Sequence, residues 1–120
     1  MTIKNALAGV AVKDLDTAIA WYGKLIGRAP DKRPMSTAGE YRFEKGGWMQ
    51  IFADAERAGK SSVTLTVYDL DAKLAELDAA GIAYAEPTRT GYVDTAIITD
   101  PDGNQIVFAQ AKSADNEAAA

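Results

Sequence analysis

Residues 10–27, VAVKDLDTAIAWYGKLIG, return in altered form as residues 65–82, LTVYDLDAKLAELDAAGI. Each copy runs from apolar alternation through Asp-Leu-Asp into helical spacing and a Gly. Adding 55 to Val12, Asp14, Leu15 and Asp16 gives Val67, Asp69, Leu70 and Asp71. Adding 56 to Gly47, Phe52 and Ala53 gives Gly103, Phe108 and Ala109. The chain of 120 residues is therefore an internal duplication of one strand–helix–three-strand unit. A single such unit cannot cover its own sheet, so two must pack together.

Within the first copy, residues 7–13 alternate as a strand, with Val10 and Val12 on one side and Leu7, Gly9 and Ala11 on the other. Asp14 or Asp16 caps a helix whose apolar positions include Leu15, Ala18, Ile19, Tyr22, Leu25 and Ile26, and Gly27 stops it. Residues 41–44 and 48–52 read as a hairpin turned at Gly46-Gly47. Polar and small residues 54–61 connect the halves. In the second copy Val63, Leu65 and Val67 oppose Ser62, Thr64 and Thr66. A helix follows with Leu70, Leu74 and Leu77 on one stripe and Gly81 at its end. Residues 82–87, 92–99 and 104–110 are the remaining strand candidates. DPDG, residues 100–103, is read as a turn rather than as a pair of catalytic acids, because short Asp side chains bond nearby backbone. RTGY, residues 89–92, is too poor in glycine for a phosphate loop. Residues 113–120 lack the apolar content to pack and are expected to be a disordered tail.

Composition narrows the chemistry. Thirteen cations against 17 carboxylates leave a formal charge of −4, with no basic cluster, so neither nucleic acid nor an anionic membrane is an expected partner. No apolar run approaches the ~18 residues of a membrane span, no secretory leader is visible, and the expected location is cytoplasmic. There is no Cys, hence no disulfide, thiolate nucleophile or zinc–sulfur site. There is also no His. That removes the usual proton shuttle, the commonest metal ligand and any Ser-His-Asp triad.

With VKDLDTAIAWYGKLIG, VYDLDAKLAELDAAGI and DPDGNQIVF in place, the chain resembles the vicinal oxygen chelate superfamily, which includes glyoxalase I, bleomycin resistance proteins and extradiol dioxygenases. The resemblance covers nearly the whole chain. It implies an α+β fold in which two paired βαβββ units form a cup-shaped mixed sheet with the helices outside. The implied domain is one glyoxalase/bleomycin-resistance-like unit over residues 1–112, built from 7–53 and 62–110. Ligand would sit in the cup, and a homodimer is expected.

Enzymes of that superfamily hold a divalent metal with His and Glu from four strands. Carried over by position, the four places fall on Leu7, on Gln50 (or Ile51 if the register slips by one), on Ser62 and on Val107. Leu and Val donate nothing to a metal, and Gln and Ser are weak neutral donors. The expectation is no metal and no cofactor, and glyoxalase or dioxygenase chemistry is disfavoured.

What remains is a cup for a small organic ligand. Leu7 with Gly9 and Ala11, and Ser62 with Thr64 and Thr66, face inward on this reading, the hydroxyls forming a polar floor; a solvated outer face would show the same alternation. Trp48 either stacks a planar ligand at the rim or is a core or dimer contact, whereas Trp21 is structural. Tyr92 and Asp94 stand at the mouth or on an exposed edge, and Tyr41 and Glu40 carry the same ambiguity. The ligand-binding candidates are thus Leu7, Tyr41, Trp48, Gln50, Ser62, Thr64, Tyr92 and Val107, with no catalytic residue assigned. The expected function is metal-free binding of a small molecule, with an antibiotic or toxic metabolite sequestered. The alternatives are a metal-independent enzyme of lyase or isomerase type, using Glu40, Tyr41 or Asp94 as acid or base, and an accessory domain with a vestigial cup.

Overall fold

The computed structural model describes residues 2–112; the tail expected at 113–120 lies outside them. Among the described residues two helices and eight strands follow the duplicated order. The first unit holds β1 (Leu7–Val12), α1 (Leu15–Ile26), β2 (Lys32–Met35), β3 (Ala38–Arg42) and β4 (Trp48–Ala53). The second holds β5 (Ser62–Thr66), α2 (Leu70–Ala80), β6 (Thr88–Arg89), β7 (Val93–Thr99) and β8 (Gln105–Ala111). The sheets are ordered β1-β4-β3-β2 and β5-β8-β7-β6. In each, the first strand pairs parallel with the last and the others run antiparallel. This is the α+β arrangement of paired βαβββ units.

The two helices begin alike. Asp14 accepts from the Thr17 amide and Asp69 from the Ala72 amide, each satisfying an amide with no partner in the helix. Both end at a left-handed glycine, Gly27 at φ 92° and Gly81 at φ 73°. Leu15, Ala18, Tyr22 and Leu25 of α1 and Leu70, Leu74 and Leu77 of α2 are buried. They join Val10, Val12, Met49, Ile51, Ile98, Ile106 and Phe108 in one core. One face of each sheet thus takes the helices and the other stays open. Trp21 lies edge-on to Tyr22, centroids 4.8 Å apart, half in this core.

Two strand assignments differ from the sequence reading. Residues 82–87 form no strand. Ile82 is held by the helix stop, its amide bonded to the Leu77 carbonyl at 2.9 Å. After it only the Ala85 amide reaches β7, at the Ile97 carbonyl (3.0 Å), and Pro87 has no N–H to give. Pairing starts instead at Thr88. The hairpin arm spans 38–42 rather than 41–44, because the turn takes residues 43–47, closed by Phe43 N–H to Gly47 C=O (2.8 Å) and Gly46 N–H to Phe43 C=O (3.0 Å).

The ladders also settle the register of β4. Ile51 is fully buried on the helix face, and Gln50 lies on the open face. Gly9 pairs with Gln50 and Thr64 with Val107. Since 64 − 9 = 55 and 107 − 50 = 57, the last strands of the two units correspond at an offset of 57, not 56. The match of Phe52 to Phe108 is therefore a coincidence of identity. Phe52 is on the open face opposite Ala11, and Phe108 is in the core.

Candidate functional site

The units meet along β1 and β5, and this seam is closed at one end only. At the closed end Ser61 Oγ accepts from the Ala11 amide (3.2 Å). The Asn104 amide group donates to the Ala11 carbonyl (2.8 Å), and its oxygen accepts from the Ser61 amide (2.9 Å). Asp100 anchors Asn104 in turn, and also accepts from the Tyr22 hydroxyl at 2.7 Å. Burial against this carboxylate pushes the Tyr22 phenol up, so it stays a neutral donor. DPDGN, residues 100–104, is therefore a turn, as read from sequence, and also a buried clasp between the units.

At the other end β1 and β5 part around a cleft of about 720 Å³. Leu7, Ala8, Trp48 and Met49 line it from the first sheet. The second unit contributes residues 63–68 and Phe108, so the cleft reaches both faces of β5. Ile26, Arg28 and Lys73 close its inner side, and the β3–β4 turn (residues 43–47) supplies its lip. From that lip the Glu44 carboxylate accepts the Tyr68 hydroxyl at 2.5 Å, tying one unit to the other across the opening. Lys73 is only 12% exposed. Its ammonium donates to the Leu25 carbonyl at the end of α1 (2.5 Å) and sits 5.2 Å from the Phe108 ring centroid.

Three of the eight ligand-binding candidates come together here. Leu7, Trp48 and Thr64 line the cleft, with Thr66 beside them. Leu7 is 50% exposed, a large apolar side chain half open to the cleft. Gln50, Ser62 and Val107 share the open faces but stand outside the cleft lining; Gln50 donates to Glu40 (2.7 Å) and Ser62 to Gln105 (3.3 Å). Tyr41 and Tyr92 lie elsewhere. Tyr41 is fully buried on the helix face, its hydroxyl given to the Arg28 carbonyl at 3.0 Å, because the true hairpin register turns it inward. Tyr92 is on the loop before β7, 73% exposed, and takes no part in the cleft. Asp94 is on neither a mouth nor an exposed edge. It is buried, between Lys112 (2.9 Å) and Arg89 (3.2 Å). Lys112 holds its carboxyl below the usual range.

The sequence reading missed the cations. Lys32 Nζ and Arg42 Cζ each lie 5.4 Å from the Trp48 ring centroid. Arg42 was legible in principle, since a five-residue turn over 43–47 sets it opposite Trp48. Lys73 had a weaker signal, standing three residues from Leu70 at the margin of the apolar stripe.

A metal does not fit the four family positions. The Leu7 and Val107 side chains have no donor atom, and Gln50 and Ser62 offer only weak neutral oxygens. Among the described residues no three His, Cys, Asp or Glu converge, and no helix is long and apolar enough to cross a membrane.

The sequence matches the Glyoxalase/Bleomycin resistance protein/Dioxygenase superfamily over residues 5–108. A glyoxalase/bleomycin resistance protein from Catenulispora acidiphila is 36% identical, with 89% of this chain and 97% of that chain covered and a TM-score of 0.82. TnmS3, an antibiotic binding protein from Streptomyces sp. CB03234, shares the fold at 24% identity, covering 93% and 99%, with a TM-score of 0.76. So does a bleomycin-binding protein in complex with bleomycin, at 19% identity, covering 92% and 100%, with a TM-score of 0.75. Among curated proteins nothing matches. With both units but the end of β8 inside the matched span, the chain belongs to the Glyoxalase/Bleomycin resistance protein/Dioxygenase superfamily.

Proposed function

We propose that this protein binds a small organic molecule in the cleft between β1 and β5, without a metal, and protects by sequestering it. The observation that carries the reading is the cleft itself: about 720 Å³, open, apolar at Leu7, Trp48 and Val63, with hydroxyls at Thr64 and Thr66 to orient a ligand. It is large enough for a drug-sized molecule, and it is not plugged by side chains as a vestigial cup would be. Fold relatives whose names state antibiotic and bleomycin binding point the same way. An enzyme reading is weaker because two of its three candidate acid–base groups, Tyr41 and Asp94, are buried away from the cleft. Only Glu40 stands on the open face, tied to Gln50. Sequestration needs a fitted cavity and no reacting group.

The protein acts on this reading as a homodimer, with the exposed Ile97 on the open face of β7 available for pairing. The test is a panel of planar antibiotics and metabolites followed by calorimetry and mass spectrometry. Saturable one-to-one binding with the compound recovered unchanged is expected. A compound released chemically altered would overturn sequestration in favour of catalysis.

A further inference from the structure

We infer that the molecule held in the cleft is an anion, a planar aromatic or conjugated body carrying a carboxylate or similar acidic group, with that group lodged beside Trp48, Lys32 and Arg42. The inference rests on the cleft being the ligand site and names the class of ligand it takes.

The chain as a whole is acidic, at −4, yet its charge is not evenly placed. The cleft lining holds three cations, Arg28, Lys45 and Lys73, against the single carboxylate of Glu44; Arg28 is paired with Asp31 (2.7 Å) and Lys73 with Glu76 (3.6 Å), which leaves Lys45 as the lining cation without an ion pair among the described residues. Lys32 and Arg42 add two more cations over the indole at its rim. Among the described residues Lys32, Arg42 and Lys45 form no ion pair. The carboxylate facing Lys32 across the ladder is Glu40, which accepts from the Gln50 amide and keeps its charge, so the positive character beside Trp48 rests chiefly on Arg42 and Lys45.

The Arg42 backbone is pinned from two sides: its carbonyl accepts from Arg28 (2.6 Å) and its amide donates to Asp31 (2.6 Å). The guanidinium is therefore presented from a fixed main chain, near enough to Asp31 to help lower its carboxyl, and among the described residues its fork makes no side-chain hydrogen bond. Such a fork matches a carboxylate in a paired geometry that an ammonium cannot reproduce. The second sheet offers the complement. Its open-face residues Ser62, Thr64, Thr66 and Val107 carry no charge, and Val63, Leu65 and Phe108 are apolar. A ligand with one acidic end and one flat neutral end satisfies both walls; a cationic ligand would face like charge beside Trp48.

Calorimetric titration with naphthoate, its neutral isostere naphthamide and the cation naphthylmethylammonium separates the possibilities. Naphthoate should bind about tenfold or more tighter than naphthamide at low salt, with the ammonium weakest. That advantage should shrink at about 0.5 M salt, where exposed charges are screened within a few ångströms. The double variant Lys32→Gln, Arg42→Gln, at two exposed positions, should bring naphthoate down to the level of naphthamide while keeping its melting temperature. Equal binding of naphthoate and naphthamide by the wild type would overturn the anion and leave the cleft standing. A preference that survives in the double variant would overturn the assignment to Lys32 and Arg42. Failure of all three compounds to bind would overturn the cleft reading beneath it.

Discussion

Asn104 is fully buried, and all its side-chain bonds are made within the protein: it donates to the Ala11 carbonyl and to Asp100, and it accepts from the Ser61 amide. Truncation would leave buried backbone groups of β1 and of the linker unpaired, the costly half of the hydrogen-bond asymmetry. Asn104→Ala should therefore lower stability by about 3 kcal/mol in denaturant melts; a loss near zero would show that the clasp is dispensable. The two Trp residues separate function from folding. Trp48→Ala should weaken ligand binding several-fold, whereas Trp21→Ala should cost about 2 kcal/mol of stability, less than a fully enclosed Trp, with binding intact. Thr64→Val keeps the shape and removes a hydroxyl from the cleft, so a ligand group bonded there would lose its partner. At Asp94 the prediction is one of pH. Its folded carboxyl is held low, chiefly by Lys112 and also by Arg89. Such a group contributes stability that is complete above the unfolded Asp value of about 3.9 and is lost as pH falls through the lower folded one. The stability gap between wild type and Asp94→Asn should thus be widest near neutrality and narrow on acidification. A gap that stays constant down to about pH 2, below the ordinary Asp range, would count against the ion cluster.

At the scale of the elements, the seam between β1 and β5 decides what the molecule offers a ligand. Its closed end depends on one close backbone approach. Gly59 has φ +84°, and a Cβ there would lie 2.3 Å from the Asp102 carbonyl oxygen. At Gly27, also left-handed, a Cβ would meet nothing within 4 Å. Gly27→Ala should cost only the ~1–2 kcal/mol of the left-handed backbone, and Gly59→Ala distinctly more, because the linker must move off the DPDGN turn. Paired melting curves check this, and equal costs would mean that the linker yields freely. The helices of both units were legible from sequence because their determinants are local: an Asp at the start, a Gly at the stop, an apolar stripe between. The strand expected at 82–87 was not, because a period of two cannot reveal that Ile82 is already committed to the helix stop. Register was half legible. Counting from the helices, the second unit is two residues longer before its last strand, 57 against 55. An even shift preserves side-chain alternation and an odd one inverts it, so aligning Phe52 with Phe108 would have exchanged the open and buried faces of that strand.

For the whole molecule, the outer edges are β2 and β6, of four and two residues, and β2 carries Pro34. Short edges with a proline resist open-ended pairing, so self-association should stop at a closed dimer. Light scattering at micromolar protein should report about twice the 12.8 kDa chain mass; a monomer would remove the dimer from the proposed function. Elemental analysis should find no stoichiometric zinc, nickel, iron or manganese, and about one metal per chain would show that oxygen donors had been recruited outside the four family positions.

The amino-acid sequence by itself determined that there are two units and where their helices start and stop. Those properties reside in residue identity, or in segments short enough for caps and alternation to specify. The tertiary structure decided which side of each strand the helices take, sending Tyr41 and Asp94 inward and leaving Trp48 and Thr64 open. It also decided that β1 and β5 join at Ala11 and part at Leu7. That choice is made by bonds between residues 50 and 93 positions apart, Ala11 to Ser61 and Ala11 to Asn104. No local pattern records such pairings, because their free energy exists only once distant segments have packed.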